Sequence, residues 1–287
     1  MKNKTKSNKT KSNKTKKNNN SLNPSLHILK VGFPLYASKN SYGDSILEYT
    51  KEQEEKYDDN CLFGNMSWFG DLEEAKIYKT NEQNIYKWTI KNTTNLLIIN
   101  KQNEKFFEHY FKNTQIQLKT TIELNSSQIN KAKKMLEKEN ILCEYLNMTI
   151  NDRAYFEFKF AYGYITIEEQ YQFMKLIKIL IENKFFDIKR RKGTSIINKI
   201  KQKINYCYFL NKTNSKNKYN RLSIYLFDKY ALNNLCKITP LHLKISGVLQ
   251  PNSKSFWFVN FAFYKMNIKE YVLYNPHHNL VYEKMIE

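Results

Sequence analysis

The sequence predicts an α+β fold, with strands towards both ends of the chain and helices mostly between them. Apolar and polar residues alternate with a period of two in segments such as residues 85–90, which is the pattern of a half-buried strand. Thr166 and Glu169 form a capping-box pattern ahead of a helically spaced apolar face. The 287 residues are 41% hydrophobic, which is enough to bury the core of one large domain or two small ones.

The first strands are expected over residues 26–29 and 33–38, near the start of the folded part. Before them, residues 1–20 hold eight lysines and no acidic residue, in a chain of net charge +20. Residues 1–24 repeat lysine, asparagine and threonine, which predicts a disordered basic tail ahead of a folded domain over residues 25–287. Residues 1–20 are either an electrostatic arm for nucleic acid or a solvating segment.

The run from Asn65 to Tyr78 is the most informative stretch of the sequence. A short strand end at Ser67–Phe69 is followed by Gly70, and a helix then opens with Asp71 as its N-cap and Glu74 three residues later. An aromatic pair at such a turn suits either a ligand site or the core, and burial is the commoner outcome.

The middle of the chain is predicted to be largely helical. The expected elements are strands at 85–90, 95–100 and 155–160, helices at 126–140, 166–183 and 194–203, and a short helix or loop at 45–56. The basic run Lys189–Lys192 either contacts phosphates or, as is commoner, forms a solvated face.

The last third returns to strands. The expected elements are strands at 206–210, 221–227 and 268–274, a short helix from Asp228 to Cys236, a turn at 247–251 and an extended segment at 256–264.

The sequence carries no metal-binding or nucleotide-loop signature. The five histidines and four cysteines lack ligand spacing, and glycine is too scarce for a glycine-rich phosphate loop. We interpret the cysteines as free thiols in a reducing compartment. Without a secretory signal or a membrane-length apolar run, we expect an intracellular protein of the cytoplasm or nucleus with no membrane partner.

Three short motifs follow one another along the chain. Leu35–Ser38 reads L-Y-A-S, Trp68–Tyr78 combines Trp-Phe with a later alanine and tyrosine, and Glu270 precedes Y-V-L-Y on a late strand. In this order they resemble the ADP-ribosyltransferase family, which includes the poly(ADP-ribose) polymerases and diphtheria-type toxins. The resemblance implies a pair of small antiparallel sheets, with residues 105–215 as a largely helical insertion or accessory lobe.

The resemblance also implies a reaction. The family transfers ADP-ribose from NAD to a macromolecular acceptor, protein or nucleic acid, with release of nicotinamide and without a metal. Trp68 and Tyr78 would then help to sandwich nicotinamide. Glu270 would bond the ribose 2′-hydroxyl and stabilise the oxocarbenium-like centre.

Tyr36, Ser38 and Ser67 stand in the NAD-binding motifs beside these residues. The chain departs from the family pattern at Ala37, where the family has histidine or arginine, and at Ile268, which leaves no E-x-E pair. The alternatives are a catalytically inactive transferase-like or unrelated α+β module that binds nucleic acid through its basic surface and tail, and a structural component of an assembly. For Glu270 alone, an exposed or ion-paired strand carboxylate is the commoner role.

Overall fold

The computed structural model describes residues 22–39, 66–79, 81–141, 144–185, 225–259, 262–274 and 276–286, with individual positions between 198 and 212. Within these residues the chain has the predicted α+β class and two small, mostly antiparallel sheets. The strands are β1 Leu26–Leu29, β2 Pro34–Lys39, β3 Met66–Phe69, β4 Asn84–Ile90, β5 Thr94–Ile98, β6 Ile245–Val259, β7 Ala262–Tyr274 and β8 Leu280–Met285. The helices are α1 Leu72–Tyr78, α2 Glu104–Asn113, α3 Ser126–Lys138, α4 Glu144–Asn147, α5 Ile150–Tyr162, α6 Ile167–Glu182, α7 Tyr225–Ile238 and α8 Pro276–Asn279.

The two sheets meet at one corner. The larger has the strand order β1-β5-β6-β7-β3, and the smaller has the order β2-β4-β8. Their edge strands β3 and β2 are linked by an isolated bridge between Gly70 and Tyr36. The Gly70 N–H donates to the Tyr36 carbonyl at 2.9 Å, and the Tyr36 N–H donates to the Gly70 carbonyl at 3.0 Å. The backbone hydrogen bonding is therefore continuous across the corner.

The described residues of the five-stranded sheet pack on both of its faces. On one face, Phe69 and Tyr271 share a core with Trp88 of the three-stranded sheet. The opposite face packs against the helices through Val248 and Val272. The fold therefore has three layers, with the larger sheet in the middle and two separate apolar cores.

Helix α5 corrects one sequence prediction. Residues 155–160 were expected to form a strand, but they lie inside α5, where Tyr155, Phe156, Phe158 and Phe160 are all buried. A helix buried on all sides has no polar stripe, so its aromatic residues mimic the two-residue period of a strand.

The C-terminal third also departs from the predictions. The turn expected at 247–251 is wrong, because these residues are part of β6. The extended segment expected at 256–264 is confirmed for its described residues, which end β6 at Val259 and begin β7 at Ala262, and these two residues pair. Asp228 does not begin a helix, since α7 already runs through it from Tyr225.

The cysteine interpretation is wrong for Cys236, which is disulfide-bonded, with its partner outside the described residues. By contrast, the predicted strands near residues 26–29, 85–90 and 268–274 are confirmed, as is the Thr166 capping box of α6. The predictions for residues 1–20, 45–56 and 189–192 lie outside the described residues.

An irregular segment between α2 and α3 is held by buried polar side chains. The Thr121 N–H donates to both carboxylate oxygens of Glu157 at 3.0 and 2.8 Å, and the Tyr145 hydroxyl donates to the same carboxylate. The Asn234 side chain exchanges two hydrogen bonds with the Lys119 backbone, at 2.6 and 3.1 Å. The segment therefore satisfies its backbone through helices α5 and α7.

Candidate functional site

The candidate site lies around the N-terminus of α1, beside the corner where the two sheets meet. Asp71 is the N-cap of α1, and its carboxylate accepts a hydrogen bond from the Glu74 N–H at 3.0 Å. The Glu74 carboxylate accepts from the Asp71 N–H at 3.0 Å, which completes the predicted capping box. The Ser38 hydroxyl donates to the Ala75 carbonyl and so ties β2 to α1.

Glu74 has a second role that the local sequence does not reveal. Its other carboxylate oxygen accepts a hydrogen bond from the Lys269 N–H on β7. Lys269 lies just beyond the last residue of β7 that pairs with β3, so this N–H has no partner in that ladder. Gly70 leaves room for the Glu74 side chain, because a methyl group at residue 70 would lie 2.7 Å from Glu74 Cβ. The α1 cap therefore also completes the edge of β7.

Glu74 is 8% exposed, and burial is the main reason that its pKa is raised above the ordinary value. The negative charges of Asp71 and Glu270 raise it further, against the lowering effect of the two backbone donors. Glu74 and Glu270 thus share one electrostatic environment. Sequence reasoning found Glu74 only as a helix cap, since no local pattern reports a contact with a strand 195 residues away.

Trp68 and Glu270 project from the same face of the five-stranded sheet. Trp68 is paired with Val272 across the β3–β7 ladder, and Glu270 lies two residues from Val272 on β7. Residues opposite each other and residues two apart share a face. Val272 belongs to the core beneath the helices, so this is the helix-facing side. Both Trp68 and Glu270 are half-buried.

Tyr36 and Ser38 lie on the same side of the continuous sheet. Leu35 and Ala37 alternate with them and pack in the core between the two sheets. Tyr36 is half-buried and adjoins Gly70 through the bridge described above. The structure therefore places Tyr36, Ser38, Trp68 and Glu270 on one side of the sheet, beside the α1 corner.

Ala37 faces the opposite side of strand β2 from Tyr36 and Ser38. It is 6% exposed and belongs to the core between the sheets, so it lies on the side opposite Glu270. Of the remaining predicted residues, Ser67 pairs with Leu273 in the β3–β7 ladder, and Tyr78 is the last residue of α1. The structure describes the backbone positions of Ser67 and Tyr78 but not their side chains.

Glu270 stands next to an irregularity in the sheet. Its partner on β6 is Gln250, which is 6% exposed, and the register of the β6–β7 hairpin shifts between Gln250 and Ser253. Bulges of this kind bend a strand and re-aim the side chains beside it. Gln250 is thus a site neighbour that sequence reasoning missed, because residues 247–251 were expected to form a turn.

Searches against protein-family models, curated proteins and solved structures find no match to this chain. The resemblance to the ADP-ribosyltransferases therefore depends on the motifs alone. Among the described residues, no group of three or more histidine, cysteine or acidic side chains is placed to hold a metal ion. In the same part of the chain, no helix has both the length and the apolar character needed to cross a bilayer.

Proposed function

We propose that this chain is an NAD-dependent ADP-ribosyltransferase that modifies a macromolecular acceptor and releases nicotinamide. The observation that carries the proposal is the shared face of Trp68 and Glu270 on the adjacent strands β3 and β7. An aromatic ring and a carboxylate on one face are what the reaction needs at the nicotinamide ribose. Tyr36 adjoins the same face across the bridge to Gly70.

The reaction breaks the bond between ribose C1′ and the nicotinamide nitrogen, and nicotinamide leaves with the bonding electron pair. A nucleophile on the acceptor then forms a bond to C1′ and loses a proton. In the proposal, the Glu270 carboxylate accepts a hydrogen bond from the ribose 2′-hydroxyl and stabilises the positive charge that develops at C1′. A fixed carboxylate contributes most when the charge is largest, in the transition state.

The residues fit the two ends of NAD unequally. Trp68 and Glu270 offer an aromatic surface and an acceptor to the nicotinamide ribose. Ala37 offers no hydrogen bond to the adenosine end and is enclosed in the core between the sheets. Ser38 already donates its hydroxyl to Ala75. The nicotinamide end of NAD is therefore the end that this corner takes.

The test is an assay of NAD consumption and label transfer with the full chain and candidate acceptors. Glu270→Gln keeps the size of the side chain and removes its charge, so we expect it to lower turnover by about 100-fold or more. Glu73→Gln is the matched control, because the Glu73 side chain is 79% exposed on the neighbouring helix. A folded wild-type chain that neither consumes NAD nor transfers label would overturn the proposal, as would a Glu270→Gln variant of undiminished activity.

A further inference from the structure

A second candidate site lies in the helical layer. A cavity of about 620 Å³ opens between α3, α6 and the residues Lys201, Ile204 and Asn205. The described residues of its lining include four lysines and two glutamates, which together carry a net charge of +2. The lysines are Lys138, Lys175, Lys178 and Lys201, and apolar side chains such as Met135 and Ile179 also line the cavity.

Aromatic side chains continue this basic lining on one side. Lys175 places its ammonium 5.0 Å from the centre of the Tyr171 ring, which lies 6.1 Å from the Tyr208 ring. Lys212 places its ammonium 4.9 Å from the centre of the Tyr208 ring. Tyr208 is 49% exposed, so part of its surface is open to a ligand. Two neighbouring tyrosines therefore lie between two lysines along one strip beside the cavity.

The two glutamates of the lining offset only two of its four lysines. Glu182 pairs with Lys178 at 3.4 Å on α6, so it offsets one of the four lysines. Glu139 is exposed near the end of α3 and offsets a second. The charge that remains attracts an anion, and the apolar floor and the tyrosine rings offer surfaces to flat, uncharged groups.

We propose that this strip, defined by Tyr171, Lys175, Lys178, Tyr208 and Lys212, binds single-stranded nucleic acid. Lysines that follow a backbone of phosphates, with aromatic rings on which bases stack, are the two elements of single-strand binding. A duplex keeps its bases stacked on each other and leaves the rings unused. The site is separate from the α1 corner and does not depend on the transferase proposal.

The experiment measures the binding of fluorescent 12-nucleotide oligo(dT) and oligo(U) to the full chain by anisotropy, at several salt concentrations. The charge variant is Lys175→Ala with Lys212→Ala, the two lysines that lie against the tyrosine rings. Its matched control is Lys30→Ala with Lys105→Ala, which removes the same charge at exposed positions outside the strip. Because single strands release about 0.7 counterion per phosphate contact, the charge variant should reduce the slope of log affinity against log salt by about 1.4. The control should leave that slope unchanged.

A second pair of variants tests stacking. Tyr208→Ala should weaken oligonucleotide binding by about tenfold, whereas Tyr208→Phe keeps the ring and should bind as wild type does. The proposal would be overturned if the control pair of lysines reduced the salt slope as much as the charge variant. It would also be overturned if Tyr208→Ala bound the oligonucleotides as tightly as wild type. Stronger binding of poly-glutamate than of either oligonucleotide would overturn it too, since this would identify an acidic peptide as the partner. The relative affinities for oligo(dT) and oligo(U) show whether the strip prefers DNA or RNA.

Discussion

The Glu74 carboxylate accepts a hydrogen bond from the Lys269 N–H and so joins the first helix to a strand 195 residues further along the chain. The same carboxylate accepts from the Asp71 N–H through its other oxygen. One buried side chain thus fixes both the start of α1 and the edge of β7, on which Glu270 stands. Glu270 is thus positioned by this link to its neighbour Lys269 and by its own pairing with Gln250 on β6.

Glu74→Ala should lower the free energy of unfolding by about 2 kcal/mol, because it leaves two backbone N–H groups without their acceptor. Glu74→Gln has only one amide oxygen and should lose about half as much. Urea unfolding followed by circular dichroism measures both variants. Glu73→Ala is the control, since Glu73 is exposed on the same helix. If Glu73→Ala lowers the free energy of unfolding as much as Glu74→Ala does, the hydrogen bond from Lys269 contributes nothing to stability.

Glu157 gives the helical layer a pH-dependent stability. It is 1% exposed, and burial raises its pKa from 4.5 to about 7 despite the hydrogen bonds from Tyr145 and Thr121. The folded state therefore binds more protons than the unfolded state between these two values, so stability should fall as pH rises from about 4.5 to 7. The shift corresponds to a loss of about 3 kcal/mol across that window.

Glu157→Gln removes the titrating group and keeps an oxygen acceptor for Tyr145 and Thr121. The difference in unfolding free energy between wild type and this variant should therefore change across pH 4.5 to 7 and be constant above and below it. Urea titrations at half-unit pH intervals measure this difference. A difference that does not vary with pH would show that Glu157 keeps an ordinary pKa in the folded chain.

The sequence predicted the α1 corner well because its signals are local. Asp71 and Glu74 are three residues apart, and helix caps depend on that spacing alone. The contact of Glu74 with Lys269 and the pairing of Trp68 with Val272 depend on strand register, which no local pattern specifies. The resemblance to the ADP-ribosyltransferases implied that Trp68 and Glu270 serve one site, but it did not give the face of the sheet that they share.

The helical layer was harder to predict for a different reason. Residues 155–160 alternate aromatic and other residues, and they were assigned to a strand, although α5 contains them all. In a helix that is buried on every side, burial no longer distinguishes one face, so its 3.6-residue period disappears. Glu157 lies inside this segment, and the fold buries its carboxylate among the aromatic residues of the helical layer.

Gly247 is a packing position at the centre of the larger sheet. A methyl group at residue 247 would lie 2.1 Å from the Val272 carbonyl oxygen and 3.0 Å from Leu96 Cδ2. Gly247→Ala should therefore displace the β6–β7 pairing and cost about 3 kcal/mol. Thermal unfolding measures the loss. Gly32→Ala is the comparison, because a methyl group at residue 32 would meet no atom within 4 Å. Its φ of +82° is unfavourable for alanine, so this substitution should lower stability by about 1 kcal/mol through backbone strain alone. A smaller loss at Gly247 than at Gly32 would contradict the packing argument.

Kinetics should separate the roles of Trp68 and Glu270 in the proposed reaction. Trp68→Phe keeps an aromatic ring that packs against the helical core and removes part of the surface offered to nicotinamide. It should raise the KM for NAD several-fold and leave kcat nearly unchanged, because that contact is equal in the ground state and the transition state. Glu270→Gln should instead lower kcat and leave KM nearly unchanged, because the carboxylate interacts most strongly with the charge that develops at C1′. Initial-rate measurements over a range of NAD concentrations give both constants. A fall in kcat alone for Trp68→Phe, or a rise in KM alone for Glu270→Gln, would reverse the assigned roles while leaving the shared face of the two residues unchanged.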